Sequence, residues 1–271
     1  MKSFIFLLPA LIALTAVPAL CQDAQKKDIP KESAEKAEPI DTDRGNFTNG
    51  IGTVPKGSYQ IETGVTLTRL DGARQFTFGE VLLRVPLSAK SEIRLGLNSY
   101  ETVTGSGPIT FGFQDVSIGY KFKVREQIGS SGWGCPGVAV NVSTLFPSGS
   151  NSYREKVLQP SALLIFSRDV TEKFSTGVNI GYGYLSSGGQ RFSQWIGSVS
   201  GQFKLNPKTT LFVEYIGVLP GGPGNPNANY FDTGILFLLT DSIQLDARIG
   251  KGTSGARPDD FIGFGASYRW K

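Results

Sequence analysis

The side chains that could do chemistry are carboxylates and bases, because this sequence of 271 residues contains no histidine. A Ser-His-Asp triad, a histidine-ligated metal site and a histidine general base are therefore impossible. Glu62 and Glu80 could act together as acid and base if they lie on neighbouring strands. The simpler interpretation is that such charges pair with basic side chains and shape a polar interior. The sequence thus predicts no enzyme, no cofactor and no metal site.

The elements that must position these charges alternate in polarity with a period of two. In "SEIRLGLNSY", Ile93 and Leu95 share one face and Arg94 lies on the other. In "SIQLDARIG", Leu245 is likewise opposed by Asp246. This alternation predicts half-buried β-strands.

Twelve such runs lie roughly at 57–69, 75–87, 91–101, 111–124, 136–146, 158–168, 172–185, 191–205, 208–219, 229–240, 242–250 and 260–271. The connectors between them are alternately tight, as in "LSAK", and longer, as in "LPGGPGNPNAN". Two deviate: "REQIGSSGWG" is long where a tight turn is expected, and "LDGAR" is short where a loop is expected. The pattern predicts an all-β fold, an antiparallel up-and-down transmembrane β-barrel of about 12 strands with short periplasmic turns and longer extracellular loops.

A soluble β-sandwich would also bury one face of each strand, so alternation alone does not identify a membrane protein. Three features favour the barrel: charges in the middle of strands, aromatic residues near strand ends, and the alternating last segment "GFGASYRWK". That segment resembles the terminal signal of bacterial outer-membrane barrels, although Lys271 follows the aromatic Trp270. The predicted partners are therefore outer-membrane lipid and, through the C-terminal strand, the barrel-assembly machinery.

Three regions are predicted along the chain. Residues 1–21 have a basic start, an apolar stretch and a small-x-small cleavage site, which is typical of a signal peptide. Residues 22–49 are polar and charged, which predicts a flexible periplasmic leader, and residues 50–271 form the barrel. The predicted location is the bacterial outer membrane. The net charge of +4 is spread along the chain without a basic cluster, which argues against nucleic-acid binding.

The charged residues of the strands are expected to point into the lumen as a paired network, because an unpaired charge is costly there. The predicted lumen-facing network comprises Glu62, Glu80, Arg84, Glu92, Arg94, Asp115, Lys121, Lys123, Glu214, Asp246, Arg248 and Arg269. The leader segment "DTDRGNFT" is a candidate plug of the periplasmic mouth through Asp43 and Arg44. We expect Arg44 to meet a carboxylate such as Glu62.

The stretch "DTDRGNFTNGIGTVPKGSYQIETGVTLT" resembles the start of the bacterial outer-membrane transporter-like family of the MetA pathway of phenol degradation. The resemblance lies in Thr42-Asp43-Arg44, in Val54-Pro55-Lys56-Gly57 and in the Gln-x-Glu-x-Gly strand that begins at Gln60. The segments "EVLLRVPLSAKSEIRLGLNSY", "DVSIGYKFKV" and "LFPSGS" are similar to the following hairpin, strand and loop of that family. The chain departs from the family at Gly45-Asn46, where Pro-Asp is expected. The resemblance implies transport of aromatic compounds.

Three functions remain open at this point. The first is a porin-like channel or transporter for passive uptake or export of small solutes, with aromatic or hydrophobic compounds as candidates. The alternative is a non-transporting structural or surface-interaction barrel, and the third is a membrane enzyme. A barrel of about 12 strands lies between the small filled barrels and the wide porins, so its lumen is expected to be narrow and partly plugged.

Overall fold

The computed structural model describes residues 38–70, 72–97, 99–105, 107–129, 134–254 and 260–271. The predicted signal peptide and residues 22–37 of the predicted leader lie outside the described residues. The described part of the chain forms β1 (Tyr59–Leu70), β2 (Ala73–Ser88), β3 (Ser91–Leu97), β4 (Tyr100–Thr104), β5 (Thr110–Phe113), β6 (Val116–Arg125), β7 (Gly137–Phe146), β8 (Gln159–Asp169), β9 (Phe174–Ser187), β10 (Gln190–Asn206), β11 (Thr209–Leu219), β12 (Ala228–Thr240), β13 (Ile243–Ser254) and β14 (Asp260–Trp270). No helix that could span a membrane occurs in this described part.

Twelve of these strands close into an antiparallel barrel in the order β1-β2-β3-β6-β7-β8-β9-β10-β11-β12-β13-β14. The barrel closes because β1 pairs with β2 on one side and with β14 on the other. In the closing pair, Tyr59 lies opposite Trp270 and Gly64 lies opposite Gly265. A closed sheet leaves no row of unpaired backbone groups, as a membrane requires. The predicted barrel is confirmed.

The two extra strands, β4 and β5, continue β3 and β6 beyond a break. β2 is long enough to pair with β3 through residues 81–88 and with β4 through residues 74–78. Between these halves, Gly79 has φ 99° and Glu80 has φ 37°, and the pairing with β1 shifts register. Glycine adopts such φ values freely and a glutamate seldom does. The bulge in β2 thus interrupts the pairing with the next strand, which is split into β3 and β4. The predicted runs at 91–101 and 111–124 therefore appear as four shorter strands, β3 to β6.

We distinguish two ends of the barrel. The terminal rim holds the start of β1, the end of β14 and the turns at 89–90, 126–129 with 134–136, 170–173, 207–208 and 241–242. The loop rim holds the connections at 72, 105 with 107–109, 147–158, 188–189 and 220–227, together with the ends of β13 and β14 that face the undescribed residues 255–259. The connection at 188–189 is as tight as any turn of the terminal rim, because Gly188 and Gly189 both have positive φ and close a two-residue hairpin. At the loop rim, β9 and β10 therefore continue as paired strands up to this turn, although the alternation of connectors predicts a longer loop there.

The apolar face of the sheet is on the outside. On β6, Ile118 and Phe122 are 47% and 41% exposed, whereas Lys121 between them is 0% exposed. Across the closing pair, the half-buried Val65 lies opposite the exposed Phe264 on the same face. Soluble proteins have the opposite arrangement, with apolar side chains inside. An apolar exterior around a polar interior fits a barrel surrounded by lipid.

Aromatic side chains cluster at both ends of the apolar surface. At the terminal rim, Tyr59 stacks on Trp270 with ring centroids 5.9 Å apart. Toward the loop rim, Tyr182 meets Trp195 edge to face at 5.0 Å. Such girdles lie where lipid head groups meet acyl chains. The two pairs therefore mark the approximate height of the membrane on the barrel.

Candidate functional site

The described segment before β1 lies inside the barrel. We call residues 38–57 the plug; they contain no helix or strand. The plug reaches walls on different sides of the lumen: Ile40 N donates to Asp241 O (2.9 Å), Thr48 Oγ1 to Ser198 Oγ on β10 (2.8 Å), and Val54 N to Glu92 Oε2 on β3 (2.8 Å). Residues 38–49, part of the predicted flexible leader, are thus held in the lumen by polar contacts.

Arg84 on β2 joins the plug to the barrel wall. Its side chain is 1% exposed and donates to Glu92 Oε1 (2.8 Å) and to Glu62 Oε1 (3.0 Å). The same guanidinium donates to the carbonyl oxygens of Asp41 and Gly52 in the plug, each at 3.0 Å. A planar guanidinium with five N–H donors suits such a site, where four acceptors surround one cation. Arg84 therefore fixes two wall carboxylates and two points of the plug at once.

Asp43 of the plug inserts its carboxylate between two bases of the wall. Oδ2 accepts from Arg94 Nη1 (2.5 Å) and Lys121 Nζ (3.0 Å), and Oδ1 accepts from Gly50 N (3.0 Å). Burial would raise the pKa of Asp43, but the charges of Lys121, Arg94 and Arg84 outweigh it and hold the pKa far below its ordinary range. Asp43 is therefore ionised, and the plug contributes the anion that the two bases share.

Arg44 lies in a slot made by two glycines that face each other across the closing strands. A β-carbon at Gly64 would lie 1.7 Å from Arg44 Nη2, and one at Gly265 would lie 1.8 Å from Arg44 Nε. Any larger side chain would exclude the guanidinium, so both glycines are required by the close approach. Inside the slot, Arg44 Nη2 donates to the carbonyl of Phe264 (2.9 Å).

Arg44 meets carboxylates as expected, but they are Glu80 (2.7 Å) and Asp246 (3.4 Å) and not the Glu62 given as the example. Two local features explain the difference. The bulge at residues 79–80 turns Glu80 toward the plug, since bulges re-aim side chains. Glu62 is already bound by Arg84, and it also accepts the backbone N–H of Asp43 (3.3 Å). The two carboxylates considered for catalysis are thus held by different cations.

The wall formed by β11, β12 and β13 meets the plug in another way. Glu214 accepts the backbone N–H groups of Phe47 and Thr48, each at 2.7 Å. Asp232 lies opposite Glu214 in the sheet and is 0% exposed, yet neither of its carboxylate oxygens has a hydrogen-bond partner among the described residues. This wall therefore contains a buried carboxylate that the plug does not satisfy.

Arg248 of the same wall contacts aromatic rings. Its guanidinium carbon lies 4.6 Å from the ring centre of Phe47 and 5.6 Å from that of Phe261. The two rings meet edge to face with their centres 5.9 Å apart. Cation–π contacts of this kind stabilise a desolvated guanidinium. The plug thus supplies one ring, and the barrel wall supplies the other ring and the cation.

Three residues predicted for the charged network lie away from its centre. Asp115 precedes β6 near the loop rim and accepts from Ser148 N (3.0 Å) and Gly149 N (2.8 Å), so it holds the connection at 147–158. Lys123 pairs with Glu126 (2.6 Å) near the terminal rim. Arg269 donates to the backbone carbonyl of Glu38 and, at 3.3 Å, to that of Asp241. The structure divides the predicted set into a central cluster and these peripheral contacts.

The predicted lumen-facing network did not include Gln60, Gln244 or Asp232. Gln60 Nε2 donates to Asp41 O and to Glu62 Oε1, both at 2.8 Å, and Gln244 Nε2 donates to Thr42 Oγ1 (2.6 Å). The alternation did place Gln60 and Gln244 on the polar face, but a neutral amide is a weak signal beside charges. Asp232 lies in "NYFDTGILF", where a single acid among apolar residues gives no sign of its partners.

An antiparallel barrel with an apolar exterior, aromatic girdles and a charged interior is an outer-membrane β-barrel, and its location is the bacterial outer membrane. Residues 42–270 match the model of the family described as "Putative MetA-pathway of phenol degradation". The chain therefore belongs to that family, in agreement with the resemblance seen in its sequence.

Two solved structures share this fold. An outer-membrane channel from Pseudomonas putida F1 matches with a TM-score of 0.59 and 12% identity, over 81% of this chain and 98% of that chain. The KdgM porin matches with a TM-score of 0.52 and 10% identity, over 78% of this chain and 99% of that chain. No curated protein matches the chain. At such identities the likeness establishes the fold alone.

Proposed function

We propose that this protein is a passive channel for small solutes whose lumen is closed at rest by its own plug. The observation that carries the proposal is that the plug contacts β3 through Val54 and β10 through Thr48, so that it extends between separate parts of the wall. The two solved barrels that it resembles are described as a channel and a porin, which supports the same function here.

The plug has the properties of a segment that can be displaced. Its contacts with the wall are mostly made by side chains of the barrel, as in the bonds from Glu214 to Phe47 and Thr48, and it adds no strand to the sheet. Moving the plug would therefore leave the backbone pairing of all barrel strands intact. Segments with few regular backbone bonds are the ones that open at low free-energy cost.

A displaced plug would expose a lumen that suits aromatic anions. Phe261 and Arg248 would lose their contact with Phe47 and would offer a ring beside a cation. An aromatic carboxylate can stack on the ring and pair with the guanidinium. We propose that solutes of this kind pass through the channel, as the family description also suggests.

The filled lumen also favours the alternative function, a barrel that transports nothing and serves as a structural or surface protein. In that case the plug would be a permanent core, replacing the side chains that fill smaller barrels. The two functions differ in whether the plug ever leaves its site, and this can be measured directly.

A reversible cross-link between plug and wall tests the proposal. Thr48 Oγ1 and Ser198 Oγ are 2.8 Å apart, so Thr48→Cys with Ser198→Cys places two sulfur atoms within bonding reach. In planar bilayers we expect the oxidised double variant to carry no current and the same protein to conduct after reduction. The Thr48→Cys single variant is the control, and its conductance should not depend on reductant.

Two results would contradict the proposal. If the reduced double variant and the unmodified protein both carry no current at either voltage sign, the barrel is non-transporting. If the oxidised double variant conducts as well as the reduced one, the plug does not close the channel. Solute preference is tested separately, by liposome uptake of benzoate and cyclohexanecarboxylate, which are similar in size. Benzoate is expected to enter faster, and Phe261→Leu should remove the difference.

A further inference from the structure

A row of charged side chains crosses the outside of the barrel near the loop rim. Cross-strand pairing places Lys251 opposite Asp260, Asp260 opposite Arg69, and Arg69 opposite Arg74. The row thus spans β13, β14, β1 and β2, and it contains three bases and one acid. We call these four residues the charged row.

A parallel row of apolar side chains lies directly beneath it, toward the middle of the membrane. Ile249 is opposite Ile262, Ile262 is opposite Leu67, and Leu67 is opposite Phe76. All four are exposed on the same outer face as the charged row, two positions along each strand. The boundary between acyl chains and lipid head groups is therefore expected to run between the two rows.

Two open cavities meet at the charged row. The first, of about 780 Å³, is lined by apolar residues including Leu67, Ile249 and Ile262 together with members of the charged row. The second, of about 460 Å³, is lined by Arg69, Gly72, Ala73, Arg74 and Asp260. Arg69, Arg74 and Asp260 line both cavities. An apolar groove therefore opens directly into a polar, basic recess.

Within the charged row, one base is already paired. Arg69 binds Asp260 in a two-point contact with both N···O distances at 2.6 Å. Lys251 lies opposite Asp260 in the sheet but forms no ion pair with it, so the row retains an excess of positive charge at Arg74 and Lys251. An excess of this kind on the outer face at the head-group level is complementary to an anion that belongs to the membrane.

Another part of the outer face near the loop rim is built differently. There Arg191 lies over the ring of Tyr184 at 5.0 Å and donates to the carbonyl of Leu158 (2.7 Å). Tyr182 and Trp195 lie beside it as an aromatic pair. This base is engaged by protein groups, in the manner expected of an aromatic girdle. The sector from β13 to β2 differs in that its bases lie above an apolar groove, and no aromatic ring of the described residues lies over Arg74 or Lys251.

We propose that the charged row binds the phosphate groups of a phosphorylated glycolipid of the outer leaflet, with an acyl chain lying along Leu67, Ile249 and Ile262. Arginine is suited to this role because its planar fork bonds two phosphate oxygens at once. A base at the membrane interface costs little to keep there, in contrast to one at mid-membrane. A lipid fits this site better than a free anion, because a free anion would leave the apolar groove beneath the row empty. The proposal depends on the outer-membrane location and not on channel activity.

Lipid A is the probe that tests the site, since it has two phosphates and several acyl chains. We expect one molecule to remain bound to the detergent-purified protein in native mass spectrometry, and titration to give a measurable affinity. Arg74→Gln with Lys251→Gln should weaken that affinity at least about tenfold, because each lost charge–phosphate contact is strong in a partly dry site. This variant keeps the Arg69–Asp260 pair, and heat-modifiable migration on gels shows whether the barrel still forms.

The matched control is Lys204→Gln with Lys208→Gln, which removes two exposed bases near the turn at 207–208 on the terminal rim. Its affinity for lipid A should equal that of the unmodified protein. The proposal is overturned if the row variant binds lipid A within twofold of the unmodified protein, or if dephosphorylated lipid A binds equally well. It is also overturned if inorganic phosphate alone binds with the same affinity, because the site would then recognise a free anion. A second variant, Ile249→Ser, should weaken binding of lipid A while leaving binding of inorganic phosphate unchanged.

Discussion

The two walls of the lumen hold the plug in different ways. On the paired wall, formed by β1, β2, β3 and β6, Arg84, Arg94 and Lys121 each donate to at least one carboxylate at 3.0 Å or less. On the sparse wall, formed by β11, β12 and β13, neither Asp232 nor Asp246 accepts a hydrogen bond from any described residue. Within the described ranges, the one ion pair of Asp246 is with Arg44 at 3.4 Å. The plug is thus held by ion pairs on the paired wall. On the sparse wall it is held mainly by hydrogen bonds from its backbone N–H groups and by contacts with aromatic rings.

This difference indicates how the plug would move. A buried ion that loses its partner is strongly destabilised, so the paired wall resists separation from Asp43. The sparse wall loses less, because Asp232 and Asp246 accept no hydrogen bond from the described plug and only Glu214 does. We therefore expect the plug to open away from β11, β12 and β13 while it stays attached near Asp43. Substitutions on the paired wall and on the sparse wall should therefore differ in how much they destabilise the protein.

The largest effect is expected from Arg84→Met, which removes the cation shared by Glu62 and Glu92. Both carboxylates would remain buried without that partner, and the plug would lose two bonds from its carbonyl oxygens. Removing one member of a buried charged pair typically costs about 3–5 kcal/mol. Urea unfolding in lipid vesicles, followed by tryptophan fluorescence, should show a loss of stability of that order.

Arg74→Met is the control for Arg84→Met, since it removes the same side chain from the same strand at an exposed outer position. Its free energy of unfolding should change by about 0.5 kcal/mol or less, as is usual for surface substitutions. Equal losses for the two variants would mean that the charged centre of the lumen does not carry the stability assigned to it.

The next effect separates two aspartates that join the plug to the wall, Asp43 in the plug and Asp246 on β13. Asp43→Asn removes the anion that Arg94 and Lys121 share, and Lys121 has no other ion pair among the described residues. Lost charge-assisted bonds at a buried site cost about 2–3 kcal/mol, and the channel should open more often. Asp246→Asn should cost no more than about 1 kcal/mol, because its carboxylate accepts no hydrogen bond from the described residues. The two variants are compared by urea unfolding and by open probability in planar bilayers. A larger loss for Asp246→Asn than for Asp43→Asn would reverse the assignment of the walls.

The bonds that Asp43 accepts from Arg94 and Lys121 are expected to persist in mild acid. The pKa of Asp43 is lowered in the folded protein, so its contribution to stability is complete above the ordinary aspartate pKa of about 4. That contribution is lost only as the pH falls through the lowered value, which lies well under 4. Any change in open probability between pH 8 and pH 5 should therefore be the same in Asp43→Asn as in the unmodified protein. An increase at pH 5 that disappears in Asp43→Asn would show that the carboxylate titrates in this range.

Much of the barrel could be predicted from the sequence because a strand in a lipid-facing sheet must alternate. Ten of the twelve predicted runs correspond to one strand each, and the exposed Ile118 and buried Lys121 lie on the faces that the alternation assigns them. The breaks that split off β4 and β5 were not predicted. They depend on positive φ at Gly79 and Glu80, and a glutamate gives no local sign that it will adopt such a conformation.

The site was less predictable because its partners are far apart in the chain. Arg44 reaches Glu80 and Asp246 through a slot between Gly64 and Gly265, and no local pattern in the sequence pairs those two glycines. Residues 38–49 are predicted from the sequence to be a flexible leader, because they are polar and lack periodicity. Their order comes from the charges of the wall, such as Arg94, which only the closed barrel brings together. Alternation therefore predicts which face a side chain occupies, but not which charge it meets.

The smallest effect is expected from Asp232→Asn on the sparse wall. The carboxylate is fully buried, accepts no hydrogen bond from the described residues and lies opposite Glu214. Replacing a buried, unsatisfied acid by an amide of the same shape removes a desolvated group from beside another carboxylate. The free energy of unfolding at pH 8 should stay the same or rise by about 1 kcal/mol.

Glu214→Gln is the matched control, since Glu214 accepts the backbone N–H groups of Phe47 and Thr48 and its loss of charge should weaken those bonds by about 1 kcal/mol. The two variants change neighbouring acids in the same chemical way and should shift stability in opposite directions. If Asp232→Asn lost more stability than Glu214→Gln, Asp232 would have to bind a partner of its own, and the sparse wall would hold the plug as firmly as the paired one. A plug fixed equally on both sides could not open in the direction inferred above.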